Sequence, residues 1–214
     1  MKKRILCFGD SNTWGYNAMN EQEYGQRFPE DVRWTGRLQT ILGEDWTIIE
    51  EGLNGRTTVF DDPLREGLNG LKYLVPCLNT HKPLDYMILM LGTNDCKVRF
   101  SAVPKNIADG MQRLVETAQR MDVWREKPQI LIVAPPPIGE ESDTSFIGRD
   151  MGPCSKKSEQ LAKEYKLWAD EDGFDFLDAA PLTKMNRYDF MHMDRESHAR
   201  LADKFAEILR KKFS

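Results

Sequence analysis

Apolar residues are distributed along the chain in two rhythms that take turns. Short runs rich in Ile, Leu, Val and Phe occupy residues 4–9, 46–51, 85–91, 129–134 and 174–177. Hydrophobicity that is continuous over about five residues suits strands buried on both faces of a parallel sheet. Between these runs the apolar positions are spaced three or four apart, which predicts helices over residues 32–42, 104–121, 155–172 and 195–213. The second helix carries Ile107, Met111, Leu114, Val115 and Ala118 as one stripe, with Pro104 in its first turn. The last carries Leu201, Phe205, Ile208 and Leu209 on one face.

Strand and helix alternate five times, which implies βαβ crossovers and helices on both faces of the sheet. Ligand sites in open sheets of this kind form beyond the carboxyl ends of the strands. The polar clusters 9–15, 52–58, 92–95 and 188–192 all fall in predicted loops, the first three directly after strands. Four loops are therefore expected to meet at one sheet edge. Two longer irregular stretches, 134–152 and 58–70, are candidates for walls of the site or for solvated excursions.

The 214 residues suit one domain with a sizeable core, spanning 1–214. With 40% hydrophobic and 30% charged residues and a formal charge of −4, the chain reads as globular, with no basic patch for nucleic acid and no polybasic membrane anchor. The apolar run after Met1-Lys2-Lys3-Arg4 is too short for a signal peptide, and no stretch approaches the roughly 18 apolar residues of a membrane span. A cytoplasmic location is the expectation. Cys7, Cys77, Cys96 and Cys154 are far apart and are read as free thiols.

Ser11, in Gly9-Asp10-Ser11-Asn12-Thr13-Trp14-Gly15, sits just past a buried strand and before a helix, where its hydroxyl is exposed at the sheet edge. Backbone N–H groups there are free to receive an anion. The same serine would also serve as a helix N-cap or turn residue. It does not lie in a G-x-S-x-G elbow, so the α/β-hydrolase explanation does not apply.

A serine nucleophile needs a base, and the chain has three histidines. His81 precedes a strand and reads as a surface-loop residue. His198 follows Asp194 at i,i+4 but adjoins the apolar stripe of the last helix, which suits a packed histidine. His192 stands in Asp189-Phe190-Met191-His192, where the carboxylate three residues upstream can fix the imidazole tautomer. A purely structural Asp–His pair would look the same in sequence. Asn94 and Gly55 are positioned after strands to present a side-chain amide and a backbone N–H to an oxyanion, although singly each is an ordinary turn residue.

Together these blocks resemble the SGNH (GDSL-type) hydrolases: Gly9-Asp10-Ser11, the Gly55 loop, Gly92-Thr93-Asn94-Asp95 and Asp189-x-x-His192 match that family's four blocks in order. The chain is most similar to the bacterial arylesterase/acyltransferase branch, through residues 5–11, 31–36, 50–53 and 90–95. The resemblance implies a flavodoxin-like three-layer α/β/α sandwich with a five-stranded parallel sheet. It also implies Ser11 as nucleophile, His192 as base and Asp189 as its orienting carboxylate. The oxyanion hole would comprise the Ser11 N–H, the Gly55 N–H and the Asn94 amide. No metal or other cofactor is implied, and the partners expected are a small-molecule ester and further copies of the chain in a homo-oligomer.

Trp14 and Arg56 are expected to shape the substrate pocket, and Cys96, next to the third block, is expected to expose the site to alkylation. Asn12 stands where the GDSL name has Leu. Two rivals remain at this level: a metal phosphoesterase using Asp10, Asp95, Asp189 and His192, and a flavin-binding module whose 11–15 loop cradles a phosphate.

Overall fold

The computed structural model describes residues 1–214. The chain opens with β1 (Lys3–Gly9), a single helical turn α1 (Ser11–Trp14), a hairpin of β2 (Tyr16–Asn17) and β3 (Gln26–Arg27), then α2 (Trp34–Leu42), β4 (Trp46–Gly52) and α3 (Gly70–His81). It continues through β5 (Tyr86–Met90), α4 (Pro104–Gln119), β6 (Ile130–Ala134), the short α5 (Gly148–Met151) and α6 (Ser155–Ser158), α7 (Leu161–Asp172), β7 (Asp175–Asp178) and α8 (Arg195–Lys212). Five strands form one parallel sheet in the order β4-β1-β5-β6-β7. The central strands β5 and β6 are buried at every position, as their unbroken apolar runs require.

Each face of the sheet supports its own core. On one side Leu6, Phe8, Met87 and Leu89 meet the stripe of α4 (Ile107, Met111, Leu114, Val115) and α7, with α3 beside them. On the other, Ile5, Cys7, Ile88 and Val133 meet Trp34 and Leu38 of α2 and Leu201, Phe205 and Leu209 of α8. This is the expected α/β/α sandwich.

Three departures from the sequence reading have local causes. Helix α3 is absent from the sequence expectation although Leu71, Leu74 and Leu78 carry helical spacing toward the core; Pro76 lies inside it, and Asn69 caps its start by accepting the Lys72 N–H at 3.2 Å. The helix expected over 155–172 breaks into α6 and α7, between Ser158 and Leu161. There the Ser158 hydroxyl accepts the Ile138 N–H at 2.9 Å and donates to Ser155 O at 2.6 Å, anchoring the break to the preceding loop. His81 ends α3 and bonds Glu51 at 2.7 Å through Nε2, rather than standing free in a loop.

In this strand order the chain leaves β1 toward β4 on one side and β5 on the other. The switch point therefore lies between the carboxyl ends of β1 and β5, where a crevice opens. Ser11 follows β1 by two residues, and Asn94 follows β5 by four. No helix is long and apolar enough to cross a membrane.

Candidate active site

The turn carrying Ser11 is set by close packing. Asp10 caps it, its carboxylate accepting the Asn12 N–H at 3.0 Å, and Gly15 closes it with φ +88°. A β-carbon on Gly52, at the end of β4, would fall 2.2 Å from the Trp14 backbone nitrogen, so the turn rests directly on the neighbouring strand. Burial raises the Asp10 carboxyl to about 6 in spite of the Asn12 bond. With that acid seated at the head of the turn, the cradle does not suit a phosphate as the flavin reading requires.

Ser11 Oγ lies 2.9 Å from His192 Nε2, and His192 Nδ1 lies 2.6 Å from Asp189 Oδ2. The other Asp189 oxygen accepts the N–H groups of Met191 and His192 at 3.0 Å each and the Asn186 amide at 2.7 Å. Burial alone would raise Asp189, but the bond and charge of His192 together with these N–H groups hold it below the ordinary carboxylate value. The loop is tight enough that Phe190 takes φ +59°, a left-handed conformation costly for a non-glycine residue. Its carbonyl is held by the Gly139 N–H at 2.8 Å.

Gly55 and Asn94 line the same cleft as Ser11. Gly55 adopts φ +86°, and a β-carbon there would meet Leu68 at 3.0 Å, so the glycine answers a backbone need rather than substrate crowding. Its N–H takes part in none of the backbone bonds of the turns and loops. The Ser11 N–H, opening a helical turn, has no acceptor within it. Asn94 Nδ2 donates to Arg56 O at 3.2 Å, which fixes the amide and leaves its second hydrogen free.

The cleft encloses about 330 Å³. Its apolar wall is Tyr16, Tyr24, Phe146, Ile147, Met151 and Met191, so the 134–152 stretch does form part of the site. Arg65, Lys97 and Asp150 make a charged wall. Tyr16 stacks on His192 with ring centroids 4.2 Å apart and planes 21° from parallel. Sequence reasoning missed Tyr16, Asn186 and Lys97; an aromatic just after the serine turn and an Asn three residues before the Asp are weak signals by themselves.

Trp14 and Arg56 are not in the wall of the cleft. Arg56 is buried, its guanidinium lying 4.1 Å from the Phe8 ring and donating to Gly9 O at 2.9 Å and to Glu51 O. It clamps the ends of β1 and β4, and only its carbonyl serves the site. Trp14 packs under Arg27, 5.3 Å away. Cys96 is fully buried, bonded to Gly92 O at 3.5 Å, and burial raises its thiol far above the usual range, so it lacks the accessible thiolate that alkylation needs.

The carboxylates of the phosphoesterase reading are otherwise engaged: Asp95 accepts the Thr58 N–H and hydroxyl, and Asp189 holds His192. The residues whose donor atoms approach closely enough to hold a metal are Glu51, Cys77 and His81, within 4.8 Å of one another, away from the cleft. Glu51 and His81 already satisfy each other there.

Residues 7–205 match the GDSL-like Lipase/Acylhydrolase family. No curated protein matches the chain. Among solved structures, the aryl esterase of M. smegmatis is 39% identical, with TM-score 0.91, covering 98% of this chain and 99% of that one. The carbohydrate acetylesterase of Sinorhizobium meliloti is 38% identical, also with TM-score 0.91 and the same coverage. A lipolytic G-D-S-L family member of Veillonella parvula, 18% identical with TM-score 0.68 over 97% of this chain and 98% of that one, shares the fold. A match over nearly the whole length, with the sheet and crevice described above, means that this chain belongs to the GDSL-like lipase/acylhydrolase family and is an ester-bond hydrolase of the SGNH fold.

Proposed function

We propose that the chain is a serine esterase acting on short-chain acyl or aryl esters through an acyl-serine intermediate on Ser11. The observation that carries this reading is the unbroken line Ser11 Oγ–His192–Asp189, at 2.9 and 2.6 Å. Asp189 keeps the His192 proton on Nδ1, so Nε2 is free to take the Ser11 proton as Oγ bonds to the ester carbonyl carbon. The carbonyl oxygen, now an anion, is received by the N–H groups of Ser11 and Gly55 and the second amide hydrogen of Asn94. As the bond to the alcohol oxygen breaks, His192 returns the proton to that oxygen and the alcohol departs. Water repeats the sequence to free the acid, and a second alcohol in its place gives acyl transfer.

The cleft volume and its aromatic wall favour short acyl and aryl groups over long lipid chains, in keeping with relatives named as an aryl esterase and a carbohydrate acetylesterase. Replacement of Ser11 by alanine is expected to lower hydrolysis of p-nitrophenyl acetate by at least about 10³-fold while leaving the fold intact. A Ser11→Ala protein with more than a tenth of the wild-type rate removes Ser11 from the mechanism.

A further inference from the structure

The charged wall of the cleft has an imbalance that ester hydrolysis alone does not explain. Lys97 lines the same cleft as Ser11, Asn94 and His192, yet its side chain is only 2% exposed. Its ammonium has three donors and one protein partner, Asp62 Oδ2, at 3.5 Å. That carboxylate is already engaged, taking the Leu64 N–H at 3.0 Å and Arg99 at 3.3 and 3.4 Å. Asp150, the acid that lines this wall, accepts Arg99 at 2.5 Å and Arg65 at 3.5 Å. Three cations thus share two carboxylates, and Lys97, with a single long bond, is the one buried in the substrate cleft. A buried ammonium left mostly unpaired is costly, which suits a position completed by a ligand.

Resting on the esterase reading above, we propose that the substrate is an ester carrying a carboxylate, held by the Lys97 ammonium with Arg65 at the rim. The geometry ties this contact to the reacting centre: the Lys97 N–H donates to Asn94 O at 3.3 Å, so the cation and the oxyanion amide lie on the same turn. Tyr16, Tyr24 and Phe146 line the same cleft and take the apolar body of the molecule. Asp150 is the competing anion of this wall, and two arginines share its Oδ1. The carboxylate can belong to the acyl half, as in a half-ester of a dicarboxylic acid, or to the alcohol half, as in an acylated hydroxy acid. Both present the same anion to the same cation.

Two matched pairs of substrates separate these sources: p-nitrophenyl hemisuccinate against its methyl ester, and 4-acetoxybenzoate against its methyl ester. In the wild-type protein kcat/KM is expected to favour the anionic member of one pair by about tenfold or more, and the advantage shrinks as salt is added. The first pair identifies the acyl half and the second the alcohol half. The ratio is expected to fall to within about twofold in Lys97→Met and severalfold in Arg65→Gln, a rim variant whose side chain is 54% exposed and which keeps the test open should the buried substitution fail to fold. Neutral esters cleaved in a Ser11-dependent way, with no anionic preference in either pair, overturn the proposal and leave the esterase reading intact. A preference untouched by both substitutions and by salt overturns it as well. Absence of all hydrolysis removes the esterase reading, and this inference with it.

Discussion

Tyr16 lies nearly flat against the His192 imidazole, centroids 4.2 Å apart, and Tyr24 meets Tyr16 edge-on at 5.4 Å. A ring held so close restrains the imidazole to the rotamer that links Ser11 and Asp189. In the proposed mechanism its negative face also favours the imidazolium formed when His192 takes the serine proton, an effect worth about 1 kcal/mol. Tyr16→Leu is therefore expected to lower kcat about five- to tenfold with KM for a neutral ester little changed, while Tyr16→Phe, which keeps the π face, remains within about twofold of wild type. Equal losses in both variants would assign the effect to the hydroxyl instead. Neither Tyr16 nor Asn186 was legible in the sequence. An aromatic residue five positions past a serine reads as ordinary hairpin content until the fold returns a histidine from 181 residues away.

At the scale of elements, the Ser11 turn works because β1, α1 and β4 are in backbone contact, with Gly52 the position where a side chain cannot fit. The other face shows a comparable joint between α2 and α8. The Trp34 N–H, at the start of α2, donates to His198 Nδ1 at 3.2 Å, and Phe28 packs edge-on against that ring at 5.2 Å. Burial holds His198 neutral, its pKa lowered from 6.5 to about 3, with the Asp194 charge opposing and the His192 charge assisting. The unfolded chain binds a proton below about 6.5 that the folded chain refuses, so this stability is complete above pH 6.5 and is lost as pH falls toward 3.

Asp10 and Asp95 run the other way: each is raised by burial to about 6 in the fold, so protonation through that range favours the folded state. Comparison with His198→Gln, which retains an acceptor for Trp34, cancels those shared carboxylate contributions. Urea unfolding at pH 6.5 and pH 5 is expected to show the wild type losing about 2 kcal/mol more than the variant over that interval. Equal losses would mean that the ring is protonated in the fold. The histidine's packed role was readable from its place beside Leu201, whereas its partner on α2 depended on the helix–helix contact.

Taken as a whole, the molecule was most legible where its pattern was most repetitive. Buried parallel strands leave unbroken apolar runs, so β1, β5 and β6 and the stripe of α4 could be read directly, and with them the crevice at the switch point. The four loops containing Ser11, Gly55, Asn94 and His192 were legible because each follows or precedes such an element. What escaped was set by contacts distant in sequence. Helix α3 is the exception, since its stripe is local but carries Pro76, which reads as a helix breaker. The cleft wall came from the irregular stretches carrying Arg65, Phe146, Ile147 and Asp150, whose placement no local period encodes. Arg56 is expected in the pocket, but its guanidinium turns inward to the carbonyls at the ends of β1 and β4, where Gly9 O also accepts the Leu53 N–H at 3.1 Å.

The esterase reading requires that Ser11 Oγ be the covalently reacting atom. Treatment of the folded protein with an alkyl fluorophosphonate, followed by peptide mass spectrometry, reads that atom without reference to any natural substrate. The expected result is stoichiometric phosphonylation of the peptide containing Ser11, abolished by Ser11→Ala and strongly slowed by His192→Gln. Labelling of a different residue, or an unmodified Ser11 in protein that still cleaves esters, would contradict the account.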